Sequence, residues 1–296
     1  MTQRKKLLYG IGGVYLLGVI VFVVLFGAKG HKNEAFLPQE EFHLLTWVKL
    51  LGPIQLDKGV LYLFIAGAIT IGIMVWVSKR MTMRPNRVQT AVEAFYNLSM
   101  GMTRENMDPK MAAKWFPVIC TLFIFILVSN LIGYIPLPVN SGESFHAFGL
   151  KIPSFQIFAA DTNVGFPLTL ALMVFLAFNI EGIRAHGFIG YVKSLVPKGV
   201  EGGMKALIFP LEILSNFLRL LSLTIRLWAN LLAGHLLIAF MAGDLAVLLG
   251  LQVLGWITLP FGIAIFLFEA VLIASLQAFI FAILAAIYLG GAVSHH

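Results

Sequence analysis

Charge is scarce in this chain. Only 12% of its 296 residues are Asp, Glu, Lys or Arg, whereas soluble domains carry roughly 25%. A soluble globular fold is therefore excluded. Cysteine is nearly absent: Cys120 stands alone, so no intrachain disulfide can form. The apolar runs lack the alternation of a membrane barrel, and open sheets cannot span a bilayer. There is no P-loop, no zinc-ligand spacing and no G-x-S-x-G. The chain thus offers no nucleotide, metal or cofactor site of its own, and His295-His296 reads as a solvated tail rather than a ligand pair. No internal repeat supports an inverted-repeat transporter, and no low-complexity tract is present. The net charge of +7 does not point to nucleic acid, because the basic residues flank apolar runs and act as orientation signals.

What is abundant is hydrophobic: 59% of residues, with a mean hydropathy of +0.90. The expected fold is all-α and polytopic, a single membrane domain over 1–296. Arg4, Lys5 and Lys6 precede an uncharged run from Leu7 to Phe26. Its twenty residues exceed the roughly 7–15 of a signal-peptide core, which favours a retained first span over residues 1–27, although a leader remains an alternative. Residues 28–58 form a polar external segment. Transmembrane spans follow within 59–184, at Gly59–Ser78, Trp115–Pro136 and Val164–Ile180. Between the first two of these, Val88, Ala91, Val92, Phe95, Leu98 and Met102 recur every three or four residues, with Arg87, Gln89, Glu93 and Asn97 between them. That pattern predicts an amphipathic surface helix over 86–105. Leu137–Asn163 and the glycine-rich segment before Ala206 read as loops. A last apolar helix runs to about Gly290, with Pro260 expected to kink it. Fourteen Lys/Arg residues fall on one side of these spans and five on the other, which places both termini in the cytoplasm.

One stretch, Ala206–Gly243, carries Glu212, Arg219, Arg226 and His235 inside apolar sequence. Its 38 residues would make a helix of about 57 Å, against a hydrocarbon core of about 30 Å. Such a helix must tilt or bend, and residues 206–290 are expected to form a hairpin of two long tilted intramembrane helices. An arginine at mid-bilayer costs about 2.5–3.5 kcal/mol on the insertion scale. At about 100° per residue, Glu212, Arg219, Ser222, Arg226 and Asn230 share one face, while His235 lies about 180° from Arg226 and faces the final helix. That helix carries Glu269, Gln277 and Tyr288, and a buried imidazole near a carboxylate can pass protons. Asp161, in the loop before the fourth span, can extend such a path.

Structural roles compete with these. Arg219 can snorkel to the surface, and Glu212 can pair with a basic neighbour. His235 can be a packing histidine, Gln277 and Tyr288 can bond across helices, and Asp161 can cap the next helix. Asp244 reads as a turn residue and Glu181 with Arg184 as an interfacial pair. Arg226 is the hardest to explain structurally, since it lies far from both ends of its stretch.

At TIRLWANLLAGHLL (Thr224–Leu237) the chain resembles subunit a of F-type ATP synthases. Arg226, Leu227, Asn230, Ala233, Gly234 and His235 fit the family pattern, as do LQAFIFAILAAIYLGG (Leu276–Gly291) with Gln277 and Tyr288, SNLIGYIP (Ser129–Pro136), ADTNVGFPLTLAL (Ala160–Leu172) and VQTAVEAFYN (Val88–Asn97). The resemblance covers roughly residues 35–296. It implies a non-catalytic stator subunit of a bacterial inner-membrane complex, partnered by a rotating c-ring, the peripheral-stalk subunit b and lipid. Two offset half-channels would serve the ring, with Arg226 between them. His235, Glu269, Gln277 and Asp161 would line the outer one, and Glu212 and Ser222 would border the cytoplasmic one. One departure stands out. Glu269 is eight residues before Gln277, where the family's acid or histidine is typically seven. A secondary ion transporter with a buried Arg at its ion site is the competing function; it would need a carboxylate of this chain beside Arg226.

Overall fold

The computed structural model describes residues 3–26, 46–49, 55–82, 86–135, 137–147, 150–156, 163–195, 204–241, 249 and 251–293. Long helices dominate, and among the described residues five are long and apolar enough to cross a membrane. The protein is a polytopic all-α membrane protein. Two short antiparallel hairpins form, one in the expected polar external segment, β1 (Thr46–Lys49) with β2 (Gln55–Asp57), and one in an expected loop, β3 (Leu137–Ala147) with β4 (Leu150–Gln156). In these the backbone groups of irregular sequence are satisfied by pairing.

The chain divides into two compact units, one of Met1–His43 with Ala233–Val271, the other of Leu44–Leu232 with Leu272–His296. The second unit holds α2 (Lys58–Arg80), α3 (Arg87–Asn106), α4 (Pro109–Gly133), α5 (Gly165–Ser194), most of α6 (Met204–Ala239) and α8 (Ala274–Val293). The predicted surface helix is α3. It begins where the Asn86 side chain accepts from the Arg87 N–H at 2.7 Å, a local cap. Its inner face packs through Met102 and through Phe95 against Phe123 of α4, with ring centroids 5.8 Å apart. Pro109 sits in the first turn of α4, where its missing N–H is harmless. The span therefore starts six residues before the expected Trp115.

The core of this unit forms around a stripe of small residues. Ala274, Ala278, Ala282, Ala285 and Ala286 of α8 are fully buried. Small side chains let helix backbones approach closely in a membrane, and α8 packs on α3, α4 and α5. The approach is tightest at Gly290, where an added Cβ would overlap the Asn106 carbonyl oxygen at the end of α3.

Where a loop is expected after Ile180, the described residues are helical as far as Ser194. α5 continues to His186 and breaks at Gly187, whose φ of 70° and ψ of 161° suit glycine alone among the residues. The following turn folds back: the Tyr191 ring lies against Gly182, and its hydroxyl donates to Asn179 Oδ1 at 2.9 Å. The expected Glu181–Arg184 pair forms at 3.1 Å. Glu181 also accepts from Lys114 of α4 at 2.8 Å, a cross-helix bond that local spacing does not reveal.

The first unit contains α1 (Gln3–Phe26), the end of α6 and α7 (Gln252–Phe268). Pro260 lies inside α7 and has no N–H to give the Trp256 carbonyl, four residues before it. The Tyr15 hydroxyl of α1 donates to that carbonyl. Membrane helices tolerate proline when a neighbour re-satisfies the backbone in this way. Tyr15→Phe is expected to lower stability by about 1 kcal/mol, read as a lower midpoint in reversible detergent unfolding. An unchanged midpoint contradicts this role for Tyr15. The departure from α geometry comes after α7, at a π turn over Glu269–Ile273.

Candidate functional site

The site is built on α6. Its 36 residues make about 54 Å of helix, as the sequence led one to expect. Leu223, Leu227, Leu231, Gly234, His235 and Ile238 are buried, a stripe with steps of three and four. Ser222 and Asn230 are exposed and Arg226 is half-buried. The two faces expected from the helical wheel are therefore distinct: hydrophobic residues and His235 turn inward, and Arg226 with Ser222 and Asn230 borders the open side. Exposed Leu218, Leu221 and Ile225 surround that polar set.

Arg226 donates to the Ser222 hydroxyl at 3.3 Å, one turn away. Among the described residues, no carboxylate lies within ion-pair distance of it. Its charge is thus neutralised by nothing shown in this chain. Arg219 behaves differently, although it sits seven residues away on the same helix. Its guanidinium stacks over the Tyr288 ring of α8 at 5.3 Å, so this chain holds it by a cation–π contact. Glu212 is half-buried.

The inward polar residues are more enclosed. His235 is 3% exposed, Gln277 4% and Glu269 6%. Within the first unit, Gly234 is the point where α6 meets the final helical run: a Cβ there would overlap the Glu269 carboxylate. The residue beside His235 is thus the seat of a buried acid of the final helical run. Groups of this kind can hold and exchange protons. Asp161 lies outside the described residues, as does Asp244.

Several buried polar residues were not singled out from the sequence, and one of them bonds across helices. Asn130 of α4 is fully buried. Its Nδ2 donates to the Ala274 carbonyl at 3.1 Å, and its Oδ1 has no hydrogen-bond partner among the described residues. The signal was available, since an asparagine within the apolar run Trp115–Pro136 costs free energy unless it is bonded.

Sequence comparison bears on what this arrangement does. The family model for the ATP synthase A chain matches residues 60–290, a region that excludes α1. A protein from Rubrobacter xylanophilus named ATP synthase subunit a is 33% identical over 240 residues, covering 80% of this chain and 83% of that one. The protein of that name from Bradyrhizobium diazoefficiens is 37% identical over 244 residues, covering 81% and 89%. A third, from Methylobacterium sp., is 32% identical over 274 residues and covers 92% of each chain.

Proposed function

The chain belongs to the ATP synthase A chain family, and from that premise we propose that it is the proton-conducting stator of a rotary F-type ATP synthase. It is a component of that complex, and we read its part as non-catalytic. Its partners are a ring of small subunits, each bearing one carboxylate, and the peripheral-stalk subunit b. The complex resides in a bacterial inner membrane, and both termini of this chain are cytoplasmic.

The observation that carries the reading is the open face of α6. Arg226 keeps a permanent charge there, with no carboxylate of this chain paired to it among the described residues. A fixed guanidinium on an apolar surface suits a carboxylate brought from outside. As a ring carboxylate passes, the cation favours its ionised form, lowering its pKa by about 1–3 units, and its proton is released. The same charge repels a proton crossing directly between the two half-channels. His235, Glu269, Gln277 and Asp161 serve the outer half-channel, and Glu212 and Ser222 border the cytoplasmic one. Asn230 frames the ring-facing surface, and Tyr288 orients Arg219. The length of α6 supports two laterally offset channels, because the ends of a tilted helix reach different positions in the plane. The test is the loss of ATP-driven proton pumping by a complex that assembles with Arg226 replaced.

A further inference from the structure

The buried stripe of the final helical run changes step once. Its buried residues are Gly262 in α7 and Glu269 just after it, seven apart; in α8 they resume at Ala274 and continue through Gln277 and Ala278 to Phe281. Seven residues make about two α turns and the steps within α8 are three or four, but that from Glu269 to Ala274 is five. The π turn, Glu269–Ile273, occupies that step. A π turn closes i→i+5 rather than i→i+4 and so holds one residue more than an α turn. It absorbs one residue, or about 100° of α-helical phase.

The consequence for Glu269 can be read from the sequence. Eighteen residues make five α turns, so in an unbroken α-helix Glu269 would share the phase of Ile287, which is 41% exposed. The acid would then sit on the outer face of the run, where a charge in lipid is costly. Instead it is 6% exposed and rests on Gly234, beside buried His235. Asn130 bonds the Ala274 carbonyl, the first residue after the turn, and so fixes the start of α8.

We propose that the π turn at Glu269–Ile273 is a register-correcting element that takes up one surplus residue and delivers the Glu269 carboxylate to its seat on Gly234. Its residues are positioning residues, acting through Glu269. The inference rests on Glu269 belonging to the proton path, and the experiment separates the two. Four variants of the whole ATP synthase are compared in inverted membrane vesicles: Glu269→Gln, deletion of Val271, insertion of one alanine after Ile273, and the insertion combined with that deletion. Assembly, ATP hydrolysis and ATP-driven proton pumping per assembled complex are measured for each.

Deleting Val271, an exposed residue of the turn, lets the run become plain α-helix with Glu269 still on the buried stripe. Pumping should stay within about twofold of the unaltered complex. The insertion adds about 100° that nothing absorbs, and pumping should fall at least tenfold, as for Glu269→Gln. Combining the insertion with the deletion should restore it. A deletion variant that fails to assemble, or that assembles and pumps as poorly as the insertion, overturns the inference, and so does an insertion that pumps normally. Normal pumping by Glu269→Gln overturns the role of Glu269 itself.

Discussion

Arg226→Ala is expected to abolish ATP-driven proton pumping, by at least about a hundredfold, the usual scale for removing a preorganised charge from a reaction centre. The complex should still assemble. Assembly is preserved because Arg226 is not a core residue: it borders the open face of α6, and its one hydrogen bond among the described residues is the 3.3 Å contact with Ser222, four residues away. The adjacent packing is carried by Leu223, Leu227 and Leu231, which the substitution leaves intact. Function should be lost because no other described charge replaces it. Arg219 is committed to Tyr288. Lysine should be a poor substitute, since its ammonium deprotonates readily when desolvated, whereas guanidinium does not. Pumping that survives Arg226→Ala contradicts the role assigned here. Ion transport by the purified chain without any ring would favour the competing function, a secondary transporter.

The second large effect is structural. Gly290→Ala is expected to prevent stable assembly. A Cβ at this position would overlap the Asn106 carbonyl oxygen, and a backbone oxygen at a helix end cannot rotate aside as a side chain can. Either α8 withdraws from α3 or the end of α3 unwinds. Overpacking of this kind costs about 1–3 kcal/mol, sometimes more, and it falls where Leu289 and Ala286 are fully packed. Quantifying the subunit in washed membranes, alongside Gly291→Ala as a control, checks this. Nothing lies within 4 Å of a Cβ at Gly291, so the control should accumulate normally. Equal amounts of both variants contradict the argument.

Much of this architecture is legible in the sequence because a membrane helix announces itself by length and hydropathy. The surface helix declared its period, and the spacing of Ser222, Arg226 and Asn230 gave their common face. The extent of elements was harder to read. α5 runs past its expected end at Ile180 because Glu181 and Arg184, which look like a boundary, are retained in the helix by the bond from Lys114. That partner is 67 residues away, beyond any local pattern. Arg219 shares a seven-residue spacing with Arg226, yet spacing cannot show that an aromatic ring of α8 captures one and not the other. The eight-residue interval from Glu269 to Gln277 was visible as an irregularity. Its resolution lies in a change of backbone bonding at Glu269–Ile273, where no glycine or proline marks it. Likewise, Pro260 signals a helix irregularity, but not that Tyr15 would bond the carbonyl it leaves.

The central claim is that the Arg226 face of α6 meets a rotating ring of other subunits. Disulfide trapping in the intact complex tests it directly, with Cys120 replaced by serine and single cysteines at Ser222, Asn230 and Leu231, each paired with a cysteine near the ring carboxylate. Ser222→Cys and Asn230→Cys should cross-link to the ring subunit on mild oxidation, and Leu231→Cys, on the buried stripe, should not. Cross-linking from Leu231→Cys with none from the other two would place the ring on the opposite face and contradict the account.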